Sequence, residues 1–164
     1  MSKVAVPRHY WDANIFIWII QGAVPAGEDI NVLRDNFRMV DTGRLSVITS
    51  TFTLAEVVKG KPGNTALSAS DEKNITAAFA GQYISLYDVS QRVAERAREL
   101  QWVIPGIKPA DAVHLATAEQ GNADRFVTYD SKLIDRVEAI LKQKLILKYS
   151  IGFPMVTNYS LPLP

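Results

Sequence analysis

Short apolar runs alternate along this chain with longer stretches whose apolar residues recur every three or four positions. The runs at residues 8–11, 45–49, 83–87, 125–128 and 145–149 predict strands. The stretches at 13–21, 30–42, 52–59, 70–80, 91–103, 109–120 and 131–143 predict amphipathic helices. Gly22, Gly43, Gly60, Gly81 and Gly121 each follow a helical pattern, where a left-handed residue commonly ends the last turn. Pro109 falls at a first-turn position, where its missing N–H forfeits no bond. Strand–helix alternation of this kind implies an α/β fold: a mostly parallel sheet with helices on both faces. Residues 60–70, rich in Gly, Pro and Ser, read as a surface loop, and residues 152–164, with three prolines and no period, as an extended tail.

Composition narrows the classes without choosing among them. A chain of 164 residues, 48% hydrophobic and 21% charged, fits one ordinary globular domain. Cysteine is absent, which excludes disulfides, thiolate metal sites and a cysteine nucleophile and suits a reducing cytoplasm. Asp12 and Asn14 interrupt the early apolar stretch, and IFIWII is far shorter than the roughly 20 residues a membrane span needs. We therefore expect a cytoplasmic protein with no membrane partner. A net charge of +1 gives no global basic field, so a nucleic acid would have to be held by a local patch.

The chemistry concentrates at four acids, each where an apolar run meets a helical pattern. Asp12 follows HYW, Glu56 lies beyond LSVITS, Asp111 opens KPADAVHLATAEQ, and Asp130 closes RFVTYD. Each has a structural explanation. Asp12 and Asp130 can cap the helices that follow, Glu56 has capping-box spacing from Thr53, and Asp111 suits a helix dipole. Ser, Thr and Asn cap equally well, however, and all four junctions carry an acid. In an open α/β sheet the strand ends share one crevice. Carboxylates gathered there repel, and a hard divalent cation keeps them ionised. One such ion, or two about 4 Å apart, would assist phosphodiester hydrolysis.

YWDANIF, TLAEVVKG, KPADAVHLATA and FVTYD together resemble the successive acidic motifs of the PIN-domain ribonucleases, most closely the VapC type, the toxin half of toxin–antitoxin pairs. The resemblance spans roughly residues 8–151. It implies a three-layer fold with a five-stranded parallel sheet, a PIN-like nuclease domain over residues 1–151, and a C-terminal tail over 152–164. It further implies Mg²⁺- or Mn²⁺-dependent endonuclease cleavage of RNA, a homodimer and a cognate antitoxin. Carried over by position, Asp12, Asp111 and Asp130 would be metal ligands, and Glu56 a ligand or the group that orients the attacking water. Asn14, at a family position often Asn, Ser or Thr, would support the site from behind the ligands, and Thr128, two residues before Asp130, could point into the same crevice.

Other residues weigh less. His114, one turn after Asp111, is expected as a buried packing residue. Asp124 reads as a turn former, and Asp71 and Glu72 as helix-start charges. Trp18 could stack on RNA, although burial is the commoner fate of such a side chain. Arg8, Lys59, Lys61, Lys108 and Lys132 flank the acidic junctions, and Arg92, Arg96 and Arg98 share one predicted helix, as candidate phosphate contacts. Two other readings stay open: a PIN nuclease of RNA processing or repair without an antitoxin, and an idle PIN-like binding module. A hydrolase with an early aspartate nucleophile is disfavoured, because such families usually carry a second acid where this chain has Asn14.

Overall fold

In a computed structural model of the chain, residues 5–58, 68–141 and 147–156 are described. Five parallel strands form one sheet: β1 (Arg8–Trp11), β2 (Ser46–Ser50), β3 (Ile84–Tyr87), β4 (Arg125–Val127) and β5 (Ser150–Gly152). Seven helices connect or flank them among the described residues: α1 (Ala13–Gln21), α2 (Ile30–Asp41), α3 (Thr51–Glu56), α4 (Ala69–Phe79), α5 (Gln91–Val103), α6 (Pro109–Gln120) and α7 (Ser131–Leu141). The spatial order is β3-β2-β1-β4-β5. Successive strands therefore step outward from β1 in one direction, and the chain then returns to add β4 and β5 on the other side. The reversal lies between β1 and β4, and a sheet of this type opens its ligand crevice at such a point.

Period-two alternation sorts the sheet's side chains to two faces. Tyr10, Ile48 and Phe126, paired across β2, β1 and β4, join a core built on Leu100, Leu115 and Val137 of α5, α6 and α7. Their neighbours Trp11, Val47 and Val127 face the opposite core, with Phe16 of α1 and Leu33 and Val40 of α2. Tyr10 stacks on Phe126 at 5.0 Å between ring centres. Trp18 is half-buried against the second core. No helix among the described residues is long and apolar enough to cross a membrane.

Two expectations need correction. The last strand is Ser150–Gly152, not 145–149; residues 142–146 lie outside the described ones, and Leu147 and Tyr149 are buried as packing residues. Tyr149 spends its hydroxyl on the Leu115 carbonyl of α6 at 2.7 Å, while Phe126 and Val127 of β4 register with Ile151 and Gly152. Beyond β5 the chain continues over α2, where Asn36 Nδ2 donates to the Met155 carbonyl at 3.2 Å. The second correction concerns the glycines. Gly22 and Gly43 do adopt left-handed backbone (φ 66° and 69°), but Gly121 does not (φ −78°), and after α6 the left-handed residue is Asn122 (φ 52°). What Gly121 supplies is room: a Cβ there would meet Ile48 Cδ1 at 2.2 Å. Gly60 and most of the 60–70 loop lie outside the described residues.

Candidate active site

β1 delivers Asp12 to the crevice. Its backbone is extended (φ −80°, ψ 177°), and its Oδ1 accepts the Ile15 N–H at 3.4 Å, so it caps α1. Asn14 Nδ2 donates to the other oxygen at 3.4 Å. Asp12 is only 5% exposed. Burial pushes its carboxyl up to about 6, helped by the negative charge of Glu56; the Thr128 hydroxyl, His114 and the Ile15 N–H restrain the rise.

β4 delivers the neighbouring group. Thr128 follows its last residue and is fully buried, and its hydroxyl is shared between two acids. It accepts the Asp130 N–H at 3.0 Å and, near the Asp12 carboxyl, favours that group's charged form. Asp130 in turn caps α7, its Oδ1 accepting the Leu133 N–H at 3.0 Å. Asn14 and Thr128, the two expected supporting residues, thus both meet Asp12.

Asp111 stands in the first turn of α6, where Lys108 at the N-cap position gives no side-chain cap. Its carboxylate lies in the field of the Lys108 side chain and backbone, both of which favour its charged form. Burial raises its proton affinity and so does the charge of Asp130, while Lys108 and His114 lower it. Asp111 and Asp130 therefore share one electrostatic neighbourhood, as do Asp12 and Glu56, and His114 acts on both Asp12 and Asp111.

Glu56 overturns its own bland reading. The N-cap of α3 is Ser50, whose Oγ accepts the Phe52 N–H at 3.1 Å, because β2 runs into the helix with no loop. Thr53 pairs with Thr49 at 2.8 Å, so no capping box forms from Thr53 to Glu56. The Glu56 carboxylate instead meets His114 Nε2 at 2.7 Å. His114 is buried as expected, but it also carries two strong hydrogen bonds, the second between Nδ1 and the Tyr10 hydroxyl at 2.7 Å. That is the site residue sequence reasoning underweighted. Its only signal was the helical spacing from Asp111.

No Lys or Arg among the described residues forms an ion pair with any of the four acids. Nor are three His, Asp or Glu side chains among the described residues grouped, as they stand, to hold a metal ion. The donors themselves are hard oxygens from four junctions, and Mg²⁺ commonly takes one or two carboxylates and fills its shell with water. The residues present therefore fit such an ion in chemistry and in charge, without a preformed three-ligand cage.

The basic candidates divide. Lys108 and Lys132 are exposed close to Asp111 and Asp130 in the chain, and the Lys108 charge acts on Asp111. Arg8 is not there: at the opposite end of β1, its N–H donates to Asp124 at 2.7 Å and its guanidinium to the Gly121 carbonyl at 3.0 Å. Arg96 is engaged by Glu99 and Glu119, and Arg98 lies 5.4 Å from the centre of the Trp102 ring. Lys59 and Lys61 lie outside the described residues. Asp124 serves the turn before β4, and Asp71 forms a capping box with Ser68 at the start of α4.

Comparison with known proteins follows the same lines. No curated protein matches the sequence. The fold is similar to that of VapBC2 from Rickettsia felis bound to a promoter DNA fragment, with a TM-score of 0.59 at 16% identity over 89% of this chain and 98% of that one. It is equally similar to a toxin–antitoxin complex from Klebsiella pneumoniae, with a TM-score of 0.59 at 18% identity over 91% and 99%. The sarcin–ricin-loop-cleaving toxin VapC20 of Mycobacterium tuberculosis gives a TM-score of 0.52 at 16% identity over 76% and 92%. At such identities the likeness concerns the fold. The family model of the PIN domain matches residues 10–140, a span that holds all four acids, His114 and the switch point between β1 and β4. By that match over most of its length, the chain belongs to the PIN domain family.

Proposed function

We propose that this protein is a divalent-metal-dependent endoribonuclease and the toxin of a toxin–antitoxin pair. One observation carries the reading: Asp12, Glu56, Asp111 and Asp130 arise at four different junctions, yet Asp12 feels the charge of Glu56 and Asp111 that of Asp130, His114 acts on both Asp12 and Asp111, and no Lys or Arg among the described residues forms an ion pair with any of the four. A purely structural capping acid has no need of a like-charged neighbour. The family match and the VapBC-like fold support nuclease chemistry and the toxin role.

In this reading Asp12, Asp111 and Asp130 hold Mg²⁺ or Mn²⁺, with Glu56 as a further ligand or as the group that orients the attacking water. When bound, the ion supplies positive charge against the scissile phosphate and lowers the proton affinity of water. The residues do the rest. Asp12, ionised above about pH 6, presents a carboxylate whose position is fixed by Asn14, Thr128 and the start of α1. Thr128 keeps Asp12 and Asp130 in register through its single hydroxyl. Glu56 is held through one oxygen by His114, which leaves its other oxygen to bind the ion or orient the attacking water. Lys108 and Lys132 meet the RNA backbone. The chain works as a homodimer in the cytoplasm and is restrained by its antitoxin.

The test is to incubate purified protein with a cellular RNA pool, with and without Mg²⁺, and map the new ends. Discrete Mg²⁺-dependent ends, lost in Asp12→Asn, are expected. The same ends from the Asp12→Asn protein, or none from the wild type, would refute the function.

A further inference from the structure

We propose that Tyr10 and His114 are positioning residues that hold Glu56 in one orientation through a buried relay, Tyr10 to His114 to Glu56. This inference rests on the nuclease reading for its consequence but on hydrogen-bond geometry for its substance. The Ser50 N–H donates to the Tyr10 oxygen at 3.2 Å, which leaves the phenol's own proton free to be given away. Among the described residues the hydroxyl has one other partner, His114, and the nearby threonines bond elsewhere: Thr49 donates to the Trp11 carbonyl at 2.7 Å and accepts from Thr53 at 2.8 Å. The Tyr10 proton therefore goes to His114 Nδ1 at 2.7 Å. An imidazole that accepts at Nδ1 carries its hydrogen on Nε2, and that N–H donates to Glu56 Oε2 at 2.7 Å.

The ring has little freedom to do otherwise. Tyr10 and Phe52 flank it, with ring centres 5.9 and 5.8 Å away. Tyr10 is fully buried in β1, the same strand that positions Asp12. The relay thus ties the orientation of Glu56, at the end of α3, to the strand that carries the first acid. A buried histidine could be no more than a satisfied core residue. Here its far end grips a carboxylate whose side chain is 28% exposed and acts on the Asp12 charge. Partners that orient a site residue in this manner typically matter by about 10- to 100-fold.

The test uses the full chain and an RNA shown to be cut by the wild type. His114→Leu should lower kcat by about 10- to 100-fold and leave KM unchanged. His114→Gln, which keeps an N–H donor toward Glu56, should recover most of that loss. Tyr10→Phe, which removes only one oxygen, should lower kcat several-fold and serves if His114→Leu does not fold. A second readout is independent of activity. Nitrogen-15 NMR of labelled histidine should show His114 as the Nε2–H tautomer in the wild type and as a mixture in Tyr10→Phe. Wild-type kcat in both His114→Leu and Tyr10→Phe, or an Nδ1–H tautomer in the wild type, would overturn the relay. If the wild type cuts no RNA, the proposed function fails, and the tautomer measurement alone decides the relay.

Discussion

Asp12→Asn should make the metal-free protein more stable as it makes it inactive. Burial moves the Asp12 carboxyl from its ordinary value to about 6, and Asp12 is almost entirely out of water. The folded state thus binds this proton more tightly than the unfolded chain does. Stability falls as pH rises from about 4 to about 6, and it remains lower above that range. With about 1.4 kcal/mol for each tenfold change in affinity, the ionised carboxylate costs about 3 kcal/mol at pH 8. Asparagine has the same shape, carries no charge and keeps an oxygen for the Ile15 N–H. Its weaker acceptance there and an amide facing Asn14 offset about 1 kcal/mol. The net gain is about 2 kcal/mol at pH 8, or about 4–8 °C in Tm for a chain of this size. At pH 4 the variant should be no more stable than the wild type. Urea denaturation in EDTA across pH 4–8 measures both limits. A variant less stable than wild type at pH 8, or a difference that does not change with pH, would refute the reasoning. Addition of Mn²⁺ should stabilise the wild type and leave the variant unchanged, since only a folded site that binds the ion gains from it.

Other consequences can be checked in the same way. His9 is buried beside Arg125, and its proton affinity falls to about 4, burial being the larger cause. It contributes stability that is complete above about pH 6.5 and lost as pH falls toward 4, by about 3 kcal/mol. This trend opposes that of Asp12, so His9→Gln should expose the Asp12 slope as a steeper loss of stability between pH 4 and 6; an unchanged profile would contradict the assignment. Thr128→Val removes the acceptor for the Asp130 N–H and a partner of Asp12, and should cost about 1–3 kcal/mol in denaturation and at least tenfold in cleavage. Wild-type stability in that variant would mean the hydroxyl is dispensable. Gly121→Ala places a methyl against Ile48 in the core and should cost about 1–3 kcal/mol by urea denaturation, with no effect on metal binding. A neutral result would show that Ile48 can move aside.

What the sequence conveyed depended on how local the determining contacts were. The strand β1 and the helices α1, α5 and α6 follow from periodicity, because their apolar faces and turn residues lie within the segments themselves. β5 did not, because an apolar run announces burial rather than a ladder, and Leu147 and Tyr149 are buried by side-chain packing while the pairing falls on 150–152. The site shows the same division. The acids could be singled out as candidates because each marks a junction, and Asn14 and Thr128 because each lies two residues from one of them. The cap of α3 was misplaced from Ser50 to Thr53 because β2 enters the helix directly, a fact set by pairing with β3 and not by the local residues. His114 was read as packing because its partners, Tyr10 and Glu56, are distant in sequence, and helical spacing reveals which face a residue shares but not what lies opposite.

The central claim, that the four acids form one site for a divalent cation, is tested most directly by crystals soaked in Mn²⁺ with anomalous data collected. The expected result is a peak in contact with the Asp12 carboxylate that disappears in Asp12→Asn. A soaked crystal with no peak in the crevice, or with manganese bound only at unrelated surface carboxylates, would contradict it.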